Sequence, residues 1–138
     1  MKKFGMMLVS LILLVSVMGV VSAVITDYNA PVGFERNPVT FSHGDFQMSM
    51  DSYSSFVDYD SHFKSGDDRK VEIINGTFAK YTDSFKDEVG ALELLKIGDD
   101  QYIVCCSFDG LDKSKTNDCL KYLEEFNEVN KFKPIEIK

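Results

Sequence analysis

Residues 91–108 read Ala91-Leu92-Glu93-Leu94-Leu95-Lys96-Ile97, Gly98-Asp99-Asp100, Gln101-Tyr102-Ile103-Val104-Cys105-Cys106-Ser107-Phe108. Two apolar runs flank a Gly-Asp-Asp turn, which is the pattern of a β-hairpin. The second run is apolar at odd and even positions alike. Both of its faces must then be covered, which places it at the centre of a sheet.

Upstream, Lys70 to Tyr81 forms a second hairpin around Asn75-Gly76, a dipeptide that accepts the two positive φ angles of a type I′ turn. Asp83 to Gly90 reads as a charged link between these hairpins. Further upstream, Val39-Thr40-Phe41 and the turn His43-Gly44-Asp45 lead into Phe46 to Asp51. There Phe46, Met48 and Met50 alternate with Gln47, Ser49 and Asp51, the signature of a half-buried strand, so 39–51 is a third hairpin. Residues 52–70 read as a loop with a short helix suggested by Phe56, Tyr59 and Phe63. Residues 24–38 carry Pro31, Gly33 and Pro38 and read as an extended lead-in from which Phe34 packs back.

Downstream, 113–131 reads as a helix. Cys119, Leu123, Phe126 and Asn130 recur at helical spacing, broadened by Leu120 and Tyr122, with Glu124, Glu125 and Glu128 on the other side. Ser114 or Thr116 is the expected N-cap, and Asp118 suits the helix dipole. Pro134 stops the helix, and Ile135-Glu136-Ile137 alternates as a short edge strand. The expected fold is α+β: an antiparallel sheet of about three hairpins packed against one long C-terminal helix, a single domain over 39–138.

The chain has 138 residues, 22 acidic against 15 basic, and a formal net charge of -7. One domain's length excludes a multidomain enzyme. The acidity argues against nucleic acid, because phosphate binding needs a basic surface. The first residues point to a compartment. Lys2 and Lys3 precede Met7 to Val17, a compact apolar run, and Val21-Ser22-Ala23 supplies small or β-branched residues. Those are the parts of a signal peptide over 1–23 with cleavage after Ala23. The alternative is a retained anchor, since Phe4 to Ile25 carries no charge and is long enough to span a bilayer. Either way the domain is expected outside the cytoplasm, meeting a membrane only through this segment if it is uncleaved.

The order Pro31-Val32-Gly33-Phe34, the Asn-Gly hairpin, Gly90-Ala91-Leu92-Glu93-Leu94, Gly98 to Val104, Leu123 to Asn130 and Lys133 to Ile137 resembles the small secreted proteins that methanogenic archaea encode in many copies. The resemblance implies an archaeal cell-envelope protein and carries no site residues over. The order of sheet and helix also loosely resembles PsbP- and Mog1-like domains, at the level of fold alone.

Candidate chemistry is sparse. Cys105 and Cys106 are adjacent on a strand and point to opposite faces. Cys119 lies on the apolar stripe of the helix that follows, so a disulfide Cys106–Cys119, or else Cys105–Cys119, is a candidate. The rival reading is three buried thiols behaving as small hydrophobes. A catalytic cysteine needs a histidine, and neither His43 nor His62 is near in sequence. Asp58, Asp60, Asp67 and Asp68 do not match a calcium loop, because Phe63 and Arg69 stand where Gly and Glu are needed. They read as a solvated acidic loop. Asn75-Gly76-Thr77 is an N-glycosylation sequon at an accessible hairpin tip. No catalytic signature, metal or cofactor motif is present. The expected function is a non-enzymatic envelope module that binds an envelope component or a protein partner. The alternatives are an extracytoplasmic thiol enzyme or redox protein, and a structural subunit that assembles through a sheet edge.

Overall fold

A computed structural model describes residues 24–54 and 58–137. The leader 1–23 with its cleavage point at Ala23, and Phe56, lie outside the described residues. The elements are β1 (Glu35–Arg36), β2 (Phe41–His43), β3 (Phe46–Ser52), α1 (Asp58–His62), β4 (Arg69–Ile74), β5 (Phe78–Asp83), β6 (Glu88–Ile97), β7 (Asp100–Asp109), α2 (Lys115–Asn130) and β8 (Pro134–Ile135). All strands join one antiparallel sheet in the order β1-β2-β3-β7-β6-β5-β4, and β8 pairs with β6.

The mixed fold with its antiparallel sheet and C-terminal helix is as expected, but the sheet has eight strands rather than about three hairpins. Beyond those hairpins it adds β1, from the expected lead-in, and the short C-terminal strand β8, and residues 83–90 also depart from expectation. The expected link is only a four-residue turn, because β5 ends at Asp83 and β6 starts at Glu88. Asp83 Oδ1 accepts the Lys86 N–H at 3.0 Å, and Asp87 takes a positive φ of 59°. A carboxylate and a left-handed aspartate thus make a turn without Gly or Pro. At Asn75-Gly76 both φ values are positive, and the Thr77 N–H reaches Ile74 O at 3.2 Å. Ile74 is paired with Phe78, so this loop holds three residues.

β7 is the central strand, bonded to β3 and β6. Its even residues Tyr102, Val104 and Cys106 join Met48, Met50, Ala91 and Leu95 beneath Cys119, Leu123 and Phe126 of α2. Its odd residue Ile103 joins Tyr53, Phe63, Ala79, Leu92, Leu94 and Ile137 in a second apolar cluster on the other face. Among the described residues no long helix lies over that face, and α1 with its flanks covers only part of it.

Three further expectations need correction. The lead-in is not wholly extended: Ile25–Asp27 forms a 3-10 turn, Ile25 is fully buried, and Glu35–Arg36 pairs with β2. The Arg36 guanidinium donates to Thr26 O and Tyr28 O, which ties the lead-in together. Phe34 does pack back, edge-on to Tyr122 at 4.8 Å. At the start of α2, neither Ser114 nor Thr116 caps. Ser114 is already helical, and Asp112 Oδ1 instead accepts both its N–H (3.0 Å) and its hydroxyl (2.6 Å). Thr116 Oγ1 turns back to Lys113 O. At the other end Lys131 is left-handed at φ 60°, the Phe132 N–H reaches Asn127 O at 2.8 Å, and Phe132 packs on Phe126. This is a Schellman stop, and Pro134 then starts β8.

The first half of the β4 edge is covered. Ser65 Oγ accepts the Val71 N–H at 2.8 Å, and the Gly66 N–H donates to Arg69 O at 2.7 Å. A loop that takes up Arg69 and Val71 in this way obstructs pairing along that part of the strand and leaves the Ile73 end of the edge exposed, which weakens the reading of assembly through this edge without removing it.

Candidate functional site

The open face of the sheet, beside α1, holds a polar groove of about 410 Å3. Register builds it. Gln47 of β3, Ser107 of β7, Gly90 of β6 and Tyr81 of β5 stand in one row, and Ser49, Cys105 and Leu92 in the next. Period-two alternation sends all of these to the same face. Gly90 is required here. A Cβ on it would lie 2.2 Å from Cys106 O and 2.7 Å from the Tyr81 ring. The missing side chain lets Tyr81 lie flat as part of the groove wall.

Arg69 stacks on that ring, with its guanidinium carbon 4.2 Å from the centroid. The same guanidinium reaches Asp83 at 3.3 Å and donates to His62 O. Burial works to raise the Asp83 carboxyl, but the Lys86 N–H and Arg69 outweigh it and hold the group below its ordinary value. The Tyr81 hydroxyl donates to Glu88 Oε2 at 2.7 Å and lies 3.5 Å from Cys105 Sγ. Burial, then Cys105 and Glu88, hold this phenol protonated. Burial likewise pushes the Cys105 thiol up to about 11, in spite of the Tyr81 hydroxyl. Arg69, Lys86, Asp51 and Glu88 place charges of both signs along the walls, Arg69 being paired with Asp83, and His62 and Ser61 stand at the α1 end. His62 Nδ1 is engaged with Asp58 O at 3.0 Å.

The candidate residues from sequence fall in different places. Cys106 and Cys119 are both fully buried and meet across the interface of sheet and helix. The Cys119 thiol against it, and then burial, raise Cys106 well above its ordinary value. Cys105 faces the groove instead, so of the two candidate pairings only Cys106–Cys119 brings thiols together. All three cysteines are free in this structure. Cys105 and His62 do share the groove, which their sequence separation hides. His43 lies elsewhere, against Phe34 and Tyr122. Asn75 is exposed at its hairpin tip. The Asp58 carboxylate accepts the Ser54 N–H at 2.6 Å rather than facing Asp67 or Asp68. Among the described residues no group of three or more His, Cys, Asp or Glu side chains is placed to hold a metal. Nor is any described helix long and apolar enough to cross a membrane.

Sequence reasoning missed a buried pair on the helix side. Glu93 is fully buried, and its Oε1 accepts the Asn127 Nδ2–H at 2.5 Å. The available signal was an acid inside the apolar run Ala91 to Leu95.

No family model, curated protein or solved structure significantly matches the chain.

Proposed function

We propose that the protein is an extracytoplasmic, non-enzymatic binding domain of the cell envelope, and that the groove on the open face takes its ligand. One observation carries the binding part. A concave site is lined by charges of both signs, Lys86 and the Asp83-paired Arg69 with Asp51 and Glu88, with hydroxyl, amide and thiol groups between them. Such a wall suits a small polar molecule that is neutral or zwitterionic, since a net charge would meet its own sign on one side. The compartment rests on the leader 1–23 and on the resemblance to secreted archaeal proteins.

A panel of free amino acids, short peptides and neutral sugars, titrated against the isotope-labelled protein, tests the groove. Saturable shifts at Ser49, Cys105 and Ser107, abolished by Ser107→Trp, are the expected result. Shifts confined to other surfaces would sink the reading.

The sharing of the groove by Cys105 and His62 favours one second reading, a thiol enzyme. The two part on reactivity. A thiol held near pH 11 is almost all protonated at neutral pH and is a poor nucleophile. Alkylation of Cys105 at pH 7.5 should therefore be much slower than that of a free cysteine. Faster alkylation would favour the enzyme.

Mass spectrometry of protein from its native host tests the compartment. The expected mature chain begins at Val24. A sugar on Asn75, or the loss of two hydrogens to a Cys106–Cys119 bridge, would report the same export. A chain that still begins at Met1 would identify the leader as an anchor.

A further inference from the structure

On the helix side, α2 lies over β6 and β7, touches β5 only with its first turn and leaves most of the β4–β5 ribbon uncovered. The ribbon and the start of α2 enclose a second groove, of about 310 Å3. Lys70 of β4, Lys80 of β5 and Lys113 before α2 converge on it, together with Thr82 and Thr116. Glu72 is the one acid among the described lining residues. Two of the lysines are steadied by neutral acceptors: Lys70 Nζ donates to Gly66 O at 2.7 Å, and Lys80 Nζ to Asn117 Oδ1 at 2.8 Å. Such bonds hold an ammonium in place without cancelling its charge. Among the described residues the only ion pair within 4.0 Å is Arg69–Asp83, so no carboxylate neutralises these lysines at close range.

We propose that this groove binds a small, multiply charged oxyanion of the phosphate type. The two strands of one hairpin and a residue just before a helix more than 30 positions on bring positive charge to one concavity of a chain whose net charge is -7. A concave wall of low dielectric focuses such a field on whatever enters it. Ammonium groups act as point charges and donate to phosphate oxygens without a fixed fork geometry. Size follows from the rest of the surface: a long polyanion would extend over acidic regions and be repelled, whereas a small one stays within the lysines' reach. The site is separate from the groove on the open face and stands or falls independently of it.

Inorganic phosphate titrated against the labelled full-length protein is the test, with sodium chloride at matched ionic strength as control. The expected result is saturable shifts at Lys70, Lys80, Thr82, Lys113 and Thr116 that chloride does not reproduce. Affinity should fall at least tenfold in a Lys80→Gln, Lys113→Gln variant and stay unchanged in Lys96→Gln, an exposed site at the far end of β6. Lys80→Gln alone, with a smaller loss, covers the case in which the double variant folds poorly. Shifts matched by chloride, shifts that never saturate, or equal losses in Lys96→Gln would overturn the proposal.

Discussion

Phe126→Ala should lower stability by about 3–5 kcal/mol, the usual cost of truncating a fully buried phenylalanine. A small domain is held folded by only about 5–15 kcal/mol, so much of its stability is at stake. Phe126 is completely shielded from solvent, 6.3 Å from the Phe41 ring and 5.7 Å from the Phe132 ring. It thus joins three parts of the structure: the sheet, the helix and the stop that follows the helix. The neighbouring Asn130 adds a link. Its amide donates to Phe126 O and Asn29 O, and its carbonyl accepts the Asn29 N–H at 2.8 Å. Loosening the end of α2 therefore also loosens the lead-in. Glu125→Ala, one residue away and partly solvated, should cost about 0.5 kcal/mol or less. Helix propensity alone predicts little difference between the two substitutions, so the contrast isolates docking. Equal melting temperatures would mean that α2 does not depend on the sheet, and would leave its stripe free for a partner.

The features legible in the sequence share a local cause. Alternation at Phe46, Met48 and Met50, the Asn-Gly turn and the all-apolar run 101–108 each record a constraint within a few residues. The helical stripe does the same. What was hidden depends on register between distant strands. The turn 84–87 carries no glycine or proline, because a side-chain hydrogen bond does the work of a turn residue. The two-residue strand β1 is too short to show a period, whereas the alternation at Ile135 to Ile137 did mark the short strand at β8. The groove on the open face draws Ser49, Tyr81, Glu88 and Cys105 from four strands, and only the ladder sets them side by side. In sequence, Cys106 stood first as partner for Cys119 with Cys105 left open as the alternative, and the strand's position under α2 places Cys106 against it. Glu93 and Asn127 are 34 residues apart and each looks ordinary alone.

That pair sets the second large effect, a stability that falls as pH rises. Burial pushes the Glu93 carboxyl from 4.5 up to about 8. Asn127 opposes the shift, and Glu124 adds to it. The folded protein therefore keeps a proton that the unfolded chain gives up. Below about pH 4.5 both states are protonated, and the stabilisation is fully present. Between there and pH 8 the unfolded state binds fewer protons, so stability falls by up to about 1.4 kcal/mol per pH unit. Above pH 8 the loss is complete, at several kcal/mol in all. The geometry supports a proton on Glu93 independently of the titration. Glu93 Oε2 and Asn127 Oδ1 are both buried without a partner. Two acceptors cannot satisfy each other, but a proton on Oε2 turns one into a donor and gives the acid–amide pair a second hydrogen bond. Glu93→Gln supplies that donor permanently, since its amide N–H can face Asn127 Oδ1 while its carbonyl keeps the Nδ2–H. Thermal melts of both proteins from pH 5 to pH 9 make the test. Near pH 5 the two should differ by about 1 kcal/mol or less. At pH 9 the glutamine variant should be the more stable by several kcal/mol, because it has no buried proton to lose. Asp83 and Asp112 are held below their ordinary values, so their contributions appear above the unfolded carboxyl range and are lost only as pH falls. They leave the fall between about pH 4.5 and 8 to Glu93, while the raised Cys105 and Cys106 thiols add a further loss from about pH 9 upward that is common to both proteins. Parallel pH profiles for the two proteins would show that this carboxyl is ionised in the folded state, and that the interior beneath α2 admits water.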